Sequence, residues 1–264
     1  MMFFNVGASA YCIDKWACFS IERDDDKVEV YLINKKPYVI TSTISIDTQN
    51  LASKDSYENT YEQTRVLQGL ERKRVLLLSA RDSQRRTRYS LNAFNWTPGN
   101  MNAQHDDSHV YLKPYAAGEY FRVVQGYGGG WSHRGASKYA LDFDMPEGTP
   151  VHAARGGTVI DLTERHWRGG ASRRYARYAN FVTILHSDDT TGEYYHLRQN
   201  GVVVEVGQEV KAGDLIGYSG NTGFSSMPHL HFAVYRAKSR GNFESLPVKF
   251  DEPIRLPWWQ RKSR

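Results

Sequence analysis

Two histidines, His229 and His231, stand one residue apart in the run Pro228-His229-Leu230-His231-Phe232, which continues as Ala233-Val234-Tyr235. An apolar run of this length predicts a strand, and in a strand residues i and i+2 share a face about 6–7 Å apart. One imidazole can then hold a metal while its neighbour reaches a water or substrate beside that metal. Taken alone, a His-x-His pair reads more readily as two solvated or hydrogen-bonded core histidines. Three upstream groups change that weight: His133 in Ser132-His133-Arg134-Gly135, Asp142 in Ala140-Leu141-Asp142-Phe143, and His196 in Glu193-Tyr194-Tyr195-His196-Leu197. His133, Asp142 and His231 make a two-histidine, one-carboxylate set suited to zinc. Such a set leaves a fourth tetrahedral position for water, the arrangement of a catalytic site. A structural zinc is more often closed by four ligands rich in Cys, and Cys12 and Cys18 lie far away in sequence.

In chain order, His133, Ala140–Phe143 with Gly148-Thr149-Pro150-Val151 after it, Tyr195-His196-Leu197, and Ser219–Gly223 leading into His229–Phe232 resemble the lysostaphin/LytM-type zinc metallopeptidases, a family of peptidoglycan endopeptidases. The resemblance spans about residues 115–250. It implies that His133, Asp142 and His231 hold one zinc ion and that His196 and His229 are the two non-ligand histidines of the site. It further implies a peptidoglycan substrate, cut in its stem peptides or cross-links, and a place in the periplasm, cell envelope or outside the cell. His229 is then expected to take a proton from the attacking water and return it to the leaving amine, and His196 to orient that water or stabilise the oxyanion. One departure stands out. The family's first histidine comes four positions before the aspartate, where this chain has Lys138; His133 comes nine positions before Asp142. The Gly-rich approach (Gly126, Gly128, Gly129, Gly130) predicts a longer loop that returns His133 to the same point. Asp144 is the rival carboxylate, placed by strand alternation on the face of Asp142.

The other histidines read as structural. His105 and His109, flanking Asp106-Asp107-Ser108, are expected in a solvated linker. His152 is expected on a wall facing away from Val151, His166 on an exposed loop, and His186 in a ring hydrogen bond at the mouth of a hairpin.

Length and composition suit two β-rich domains. The chain has 264 residues, 40% hydrophobic and 24% charged, with 17 Tyr and 22 Gly. The fold class expected is mainly β: an antiparallel LytM-type domain preceded by a β-sandwich-like domain. Residues 1–93 are expected to form the first domain, immunoglobulin-like in outline. Alternation in Lys27–Asn34 and β-branched residues in Tyr38–Ser45 mark its strands, and Glu62–Arg74 is open between strand and helix. Residues 94–113 read as a linker, 114–250 as the peptidase domain and 251–264 as a basic tail with Trp258-Trp259. In the peptidase domain strands are expected at Tyr120–Gln125, Ala140–Phe143, Thr158–Leu162, Phe181–Leu185, Tyr194–Leu197 and His229–Tyr235. Glu164–Ala179, with Gly169-Gly170 and five arginines, reads as a surface insertion beside a groove.

No run approaches the roughly 20 apolar residues of a membrane helix, so no integral membrane segment is expected. Met1–Phe4 and Ala8-Ser9-Ala10 read as the remnant of an export signal, and Cys12–Cys18 as a disulfide formed in an oxidising compartment. The net charge of +5 comes from scattered basic residues without a nucleic-acid-binding motif, so no nucleic-acid partner is expected, and nothing sets an oligomeric state. Two other classes compete. Gly201–Gly217 resembles the hammerhead of biotinyl and lipoyl carrier domains, but Ala154–Thr158, where the modified lysine would sit, has none. A metal-poor LytM-like module that regulates cell-wall amidases would have lost ligands that this chain keeps.

Overall fold

The computed structural model describes residues 10–24, 27–130 and 132–254. The chain divides into two compact units, Met1–Asn102 with Ala237–Asn242, and Ala103–Arg236 with Phe243–Arg264. The segments read as an export-signal remnant and as the Trp258-Trp259 tail lie outside the described residues, apart from Ala10 and residues 251–254.

In the first unit, strands β1 (Tyr11–Cys12), β2 (Ala17–Asp24), β3 (Lys27–Asn34), β4 (Ile40–Gln49), β5 (Leu51–Ala52), β6 (Thr60–Leu67), β7 (Arg72–Ala80) and β8 (Arg88–Pro98) form two sheets, ordered β1-β2-β3-β7-β5 and β6-β4-β8. Alternation decides the first sheet: Val28, Val30 and Leu32 are buried and the residues between them are not. Glu62–Arg74 is not a helix. Its first part pairs in register with β4 from Asp47↔Thr60 to Ile40↔Leu67, and a turn at Leu70 (φ +60°) leads into β7. Its Val66, Leu67 and Leu70 fit a helical period, but the pairing partner offered by β4 overrides that local pattern. Cys12 and Cys18 are joined in a disulfide across the β1–β2 pair. Strand β8 runs to Pro98, and the unit boundary falls after Asn102.

The second unit holds β9 (Val110–Tyr111), β10 (Val123–Gln125), β11 (Leu141–Phe143), β12 (Pro150–His152), β13 (Gly157–Thr163), β14 (Gly169–Gly170), β15 (Phe181–Leu185), β16 (Thr191–Tyr195), β17 (Leu197–Val202), β18 (Glu209–Val210), β19 (Leu215–Ser219), β20 (Gly223–Phe224), β21 (Leu230–Ala237), β22 (Phe243–Leu246) and β23 (Lys249–Phe250). Its main sheet is antiparallel in the order β10-β11-β21-β16-β15-β13-β18, with β22 paired to β21. The period of two sorts its side chains. Leu141, Phe143, Tyr194, Leu230, Phe232 and Val234 enter one buried core. The residues between them, Asp142, Glu193, Tyr195, His231 and Tyr235, take the opposite face, which lines a cavity of about 410 Å³.

His105 and His109 are not free in a solvated linker; both pack against Tyr111. The His105 ring is 5% exposed and bonds Asp107 and the Tyr111 hydroxyl, and His109 meets the Tyr111 ring edge-on at 4.9 Å. Tyr111 is fully buried, and its phenol needs polar neighbours, which His105 Nε2 at 3.1 Å and Arg155 Nη1 at 3.0 Å supply. His186 is buried in the β15–β16 hairpin connection, and its ring bonds the Gly156 carbonyl through Nδ1 at 2.9 Å.

Candidate active site

Register brings the first two groups together. Asp142 on β11 pairs directly with His231 on β21, and His231 in turn with Tyr195 on β16. Asp142 Oδ1 therefore lies 2.8 Å from His231 Nδ1. His133 Nε2 lies 3.1 Å from the same oxygen. The longer spacing upstream of Asp142 is a closed loop: Gly128 takes a left-handed backbone (φ +67°), its N–H donates to the Lys138 carbonyl at 2.8 Å, and His133 Nδ1–H donates back to Gly126 at 3.0 Å. Asp144 stands apart. It follows the end of β11, and its carboxylate pairs with Arg122 at 2.9 Å.

The donor set fits a divalent metal. The ligand atoms of His133, Asp142 and His231 all lie within 4.8 Å of one another. Tetrahedral zinc with bonds near 2 Å places its ligands about 3.3 Å apart, close to the two distances to Asp142. The outer contacts orient each ligand, as metal-bound histidines and carboxylates require. His133 gives its Nδ1–H to Gly126, leaving Nε2 free as a donor atom. Tyr235 Oη lies 3.4 Å from His231 Nε2 and donates to Ser137 Oγ at 3.2 Å, so Nδ1 is the donor atom of His231. Gln125 Nε2–H donates to Asp142 Oδ2 at 3.2 Å, which directs Oδ1 to the cluster. Burial alone would raise the Asp142 carboxyl, but hydrogen bonds and charge from His133 and His231 outweigh it and hold the group well below the usual carboxylate range.

The two other histidines reach the same cluster from outside the strands. His196 interrupts what reads in sequence as one strand from Tyr194 to Leu197. Its φ of +69° breaks the ladder between β16 and β17, a conformation uncommon for a residue with a side chain and concentrated at functional sites. The turn sets its ring 4.6 Å from His229 and 5.9 Å from His231, centroid to centroid. His229 precedes β21 and is anchored by a bridge to Gly220; its Nε2 lies 3.9 Å from Asp142 Oδ1. Carbonyl groups fix both tautomers. His196 Nδ1–H donates to Thr222 at 2.7 Å, and His229 Nδ1–H donates to Met227 at 2.8 Å. Each Nε2 is then a lone pair. Burial, with the neighbouring His229 and His231, pushes the His196 imidazole down to about 3, so it is neutral near pH 7.

The insertion forms part of the wall of this cavity. Gly169–Gly170 pairs in parallel with Gly223–Phe224, a 3-10 turn covers Arg173–Tyr178, and Ala171, Ala176 and Ala179 line the space. His166 is tied into its base by Asn180, which accepts from the His166 N–H and donates to its carbonyl. His152 is outside the site and bonds the Gly213 carbonyl at 2.8 Å. Sequence reasoning did not single out Gln125, Thr222 or Tyr235. For Tyr235 a signal existed, since it lies at i+4 from His231 on the same strand face.

Residues 136–243 match Peptidase family M23. The match begins just after His133 and includes the other four residues. The chain is 34% identical over 141 residues to glycyl-glycine endopeptidase ALE-1 of Staphylococcus capitis, covering 53% of this chain and 33% of that protein. It is 34% identical over 134 residues to lysostaphin of Staphylococcus simulans, covering 49% and 23%. It is 38% identical over 101 residues to peptidoglycan DD-endopeptidase ShyA of Vibrio cholerae, covering 38% and 21%. The match thus spans between about a fifth and a third of the length of these relatives. Among solved structures, the catalytic domain of Staphylococcus simulans lysostaphin aligns at 30% identity over 48% of this chain and 86% of that one, with a TM-score of 0.33. Residues 136–243 are thus similar to peptidase family M23, in keeping with the resemblance of the motifs to the lysostaphin/LytM-type peptidases.

Proposed function

We propose that the chain is a zinc-dependent endopeptidase that hydrolyses peptide bonds in the stem peptides or cross-links of peptidoglycan, acting in the periplasm or elsewhere in the cell envelope. The observation that carries this reading is the convergence of His133 Nε2, Asp142 Oδ1 and His231 Nδ1 on one point of a groove that two more imidazoles also face. In the proposed site His133, Asp142 and His231 hold the ion. Zinc bound there supplies Lewis acidity, acidifying water and polarising the scissile carbonyl.

The remaining steps belong to side chains. His229 Nε2 carries a lone pair because Met227 occupies Nδ1–H, and it takes the proton from the attacking water. The resulting imidazolium lies beside the Asp142 carboxylate, which stabilises the charge until the proton passes to the leaving amine. His196 has its only N–H committed to Thr222, so its Nε2 accepts a hydrogen bond and orients the water. That donor arrangement favours the water-orienting role over oxyanion stabilisation for His196.

The test is digestion of purified sacculi, with products read by mass spectrometry. Soluble muropeptide fragments are expected, lost with chelator and restored by added zinc. Release that ignores the chelator, or no release by zinc-loaded protein, overturns the reading; the second outcome supports the amidase-regulating module.

A further inference from the structure

The groove floor carries a carboxyl that the proposed mechanism does not use. Glu193 lies on β16, two residues from Tyr195, and shares the face of the sheet that bears Asp142 and His231. It lines the groove and is half-buried. Its hydrogen-bonding neighbours on the strand are neutral hydroxyls, the Tyr195 phenol and Thr191 Oγ1, the latter at 3.5 Å. The phenols of Tyr195 and Tyr235 flank it, and Phe243 packs edge-on against Tyr235 at 4.9 Å within the same lining. Among the described residues no lysine or arginine pairs with it.

A carboxylate withdrawn from water without a cation is an incomplete ion pair, and aromatic rings beside it favour a cation as the missing partner. Tyr195 sits directly across from His231, and one i, i+2 step along β16 is about 6–7 Å. A peptide with its scissile carbonyl at the histidine cluster thus places a side chain of an adjacent residue within reach of Glu193. Burial raises this carboxyl to about 7 while it waits without a cation.

Resting on the endopeptidase reading, we propose that Glu193, with Tyr195 and Tyr235, forms a subsite for a primary ammonium on the substrate, so that the groove selects peptides with an amino-bearing side chain next to the cleaved bond. The contact is a charge-assisted hydrogen bond from the ammonium to the carboxylate.

The probes are two fluorescent peptides of identical sequence, one with a free side-chain amine next to the scissile bond and one with that amine acetylated. Binding is followed by anisotropy and turnover by product release, with wild-type zinc-loaded protein and with Glu193→Gln. The free amine is expected to bind at least tenfold more tightly to the wild type, and this preference is expected to fall to about unity in Glu193→Gln. Equal binding of both peptides by the wild type overturns the proposal. So does a preference retained in Glu193→Gln, since glutamine mimics the neutral carboxyl and a retained preference would assign the group to neutral hydrogen bonding. Because binding is read apart from turnover, the failures separate. A preference lost in Glu193→Gln without any cleavage supports the subsite and rejects the peptidase, whereas cleavage without preference does the reverse.

Discussion

Each imidazole of the cluster is held by a contact on the nitrogen that faces away from the centre, and the consequences differ by residue. Removing His133 or His231 takes away a donor atom. Both His133→Ala and His231→Ala are expected to lose zinc, measured per chain by elemental analysis, together with hydrolysis. His229→Ala is expected to keep its zinc and lose about two to three powers of ten in turnover. Near-normal turnover in His229→Ala would remove it from the role of base. Tyr235 acts through His231 Nε2, so Tyr235→Phe is expected to weaken zinc affinity about 10- to 100-fold with the fold retained, as outer contacts to metal ligands do. Competition with a colorimetric chelator measures it. Much of this is legible in the sequence. The alternation in Ala140–Phe143 and in His229–Tyr235 puts Asp142 and His231 opposite the core residues, and two such strands need only pair to join them. The orientation of His196 was not legible, because a positive φ at a residue with a side chain leaves no mark in the sequence.

Among the elements, the insertion at Glu164–Ala179 changes most between sequence and structure. Its arginines and small residues carry no period of two, so it reads as surface loop. The structure instead anchors it to the strand residues around Asn180 and pins Gly169–Gly170 against β20. Gly169 has no room for a side chain, since a Cβ there would overlap the Asn221 carbonyl. Gly169→Ala is expected to dislodge the wall at a cost of about 1–3 kcal/mol. The signature is a several-fold rise in KM for a groove-spanning peptide with unchanged zinc content; an unchanged KM would mean that the wall does not touch substrate. The helix-or-strand ambiguity of Glu62–Arg74 has a similar origin. Its local apolar spacing suits a helix, and only the ladder between β6 and β4 resolves it.

At the scale of the whole molecule, stability and surface charge respond to solution conditions in predictable directions. Burial holds His186 down to about 4, beneath the 6.5 of an exposed imidazole, with its Nδ1–H on Gly156. The unfolded chain therefore binds a proton between these values that the folded chain refuses. Stability contributed by this group is complete above about pH 6.5 and is lost as pH falls through about 4, to the extent of roughly 3 kcal/mol. Urea melts at several pH values, compared between wild type and His186→Gln, should show a flatter acid limb in the variant; parallel limbs would contradict the assignment. The net charge of +5 is expected to aid adsorption to anionic wall material. Retention on sacculi should fall as salt rises from low to several hundred millimolar, because exposed charges are screened over about 10 Å at 0.1 M.

The protons of His133, His196 and His229 are each positioned by a main-chain carbonyl, from Gly126, Thr222 and Met227. Every amino acid supplies that oxygen, so the identity of the residue at 227 is nearly free to drift while the imidazole above it keeps its tautomer. Loop length is not free in the same way. Deleting one residue between Gly220 and His229 would move the carbonyl off the ring and reverse which nitrogen holds the hydrogen, so a deletion scan of that segment should silence the protein where a substitution scan at 227 does not.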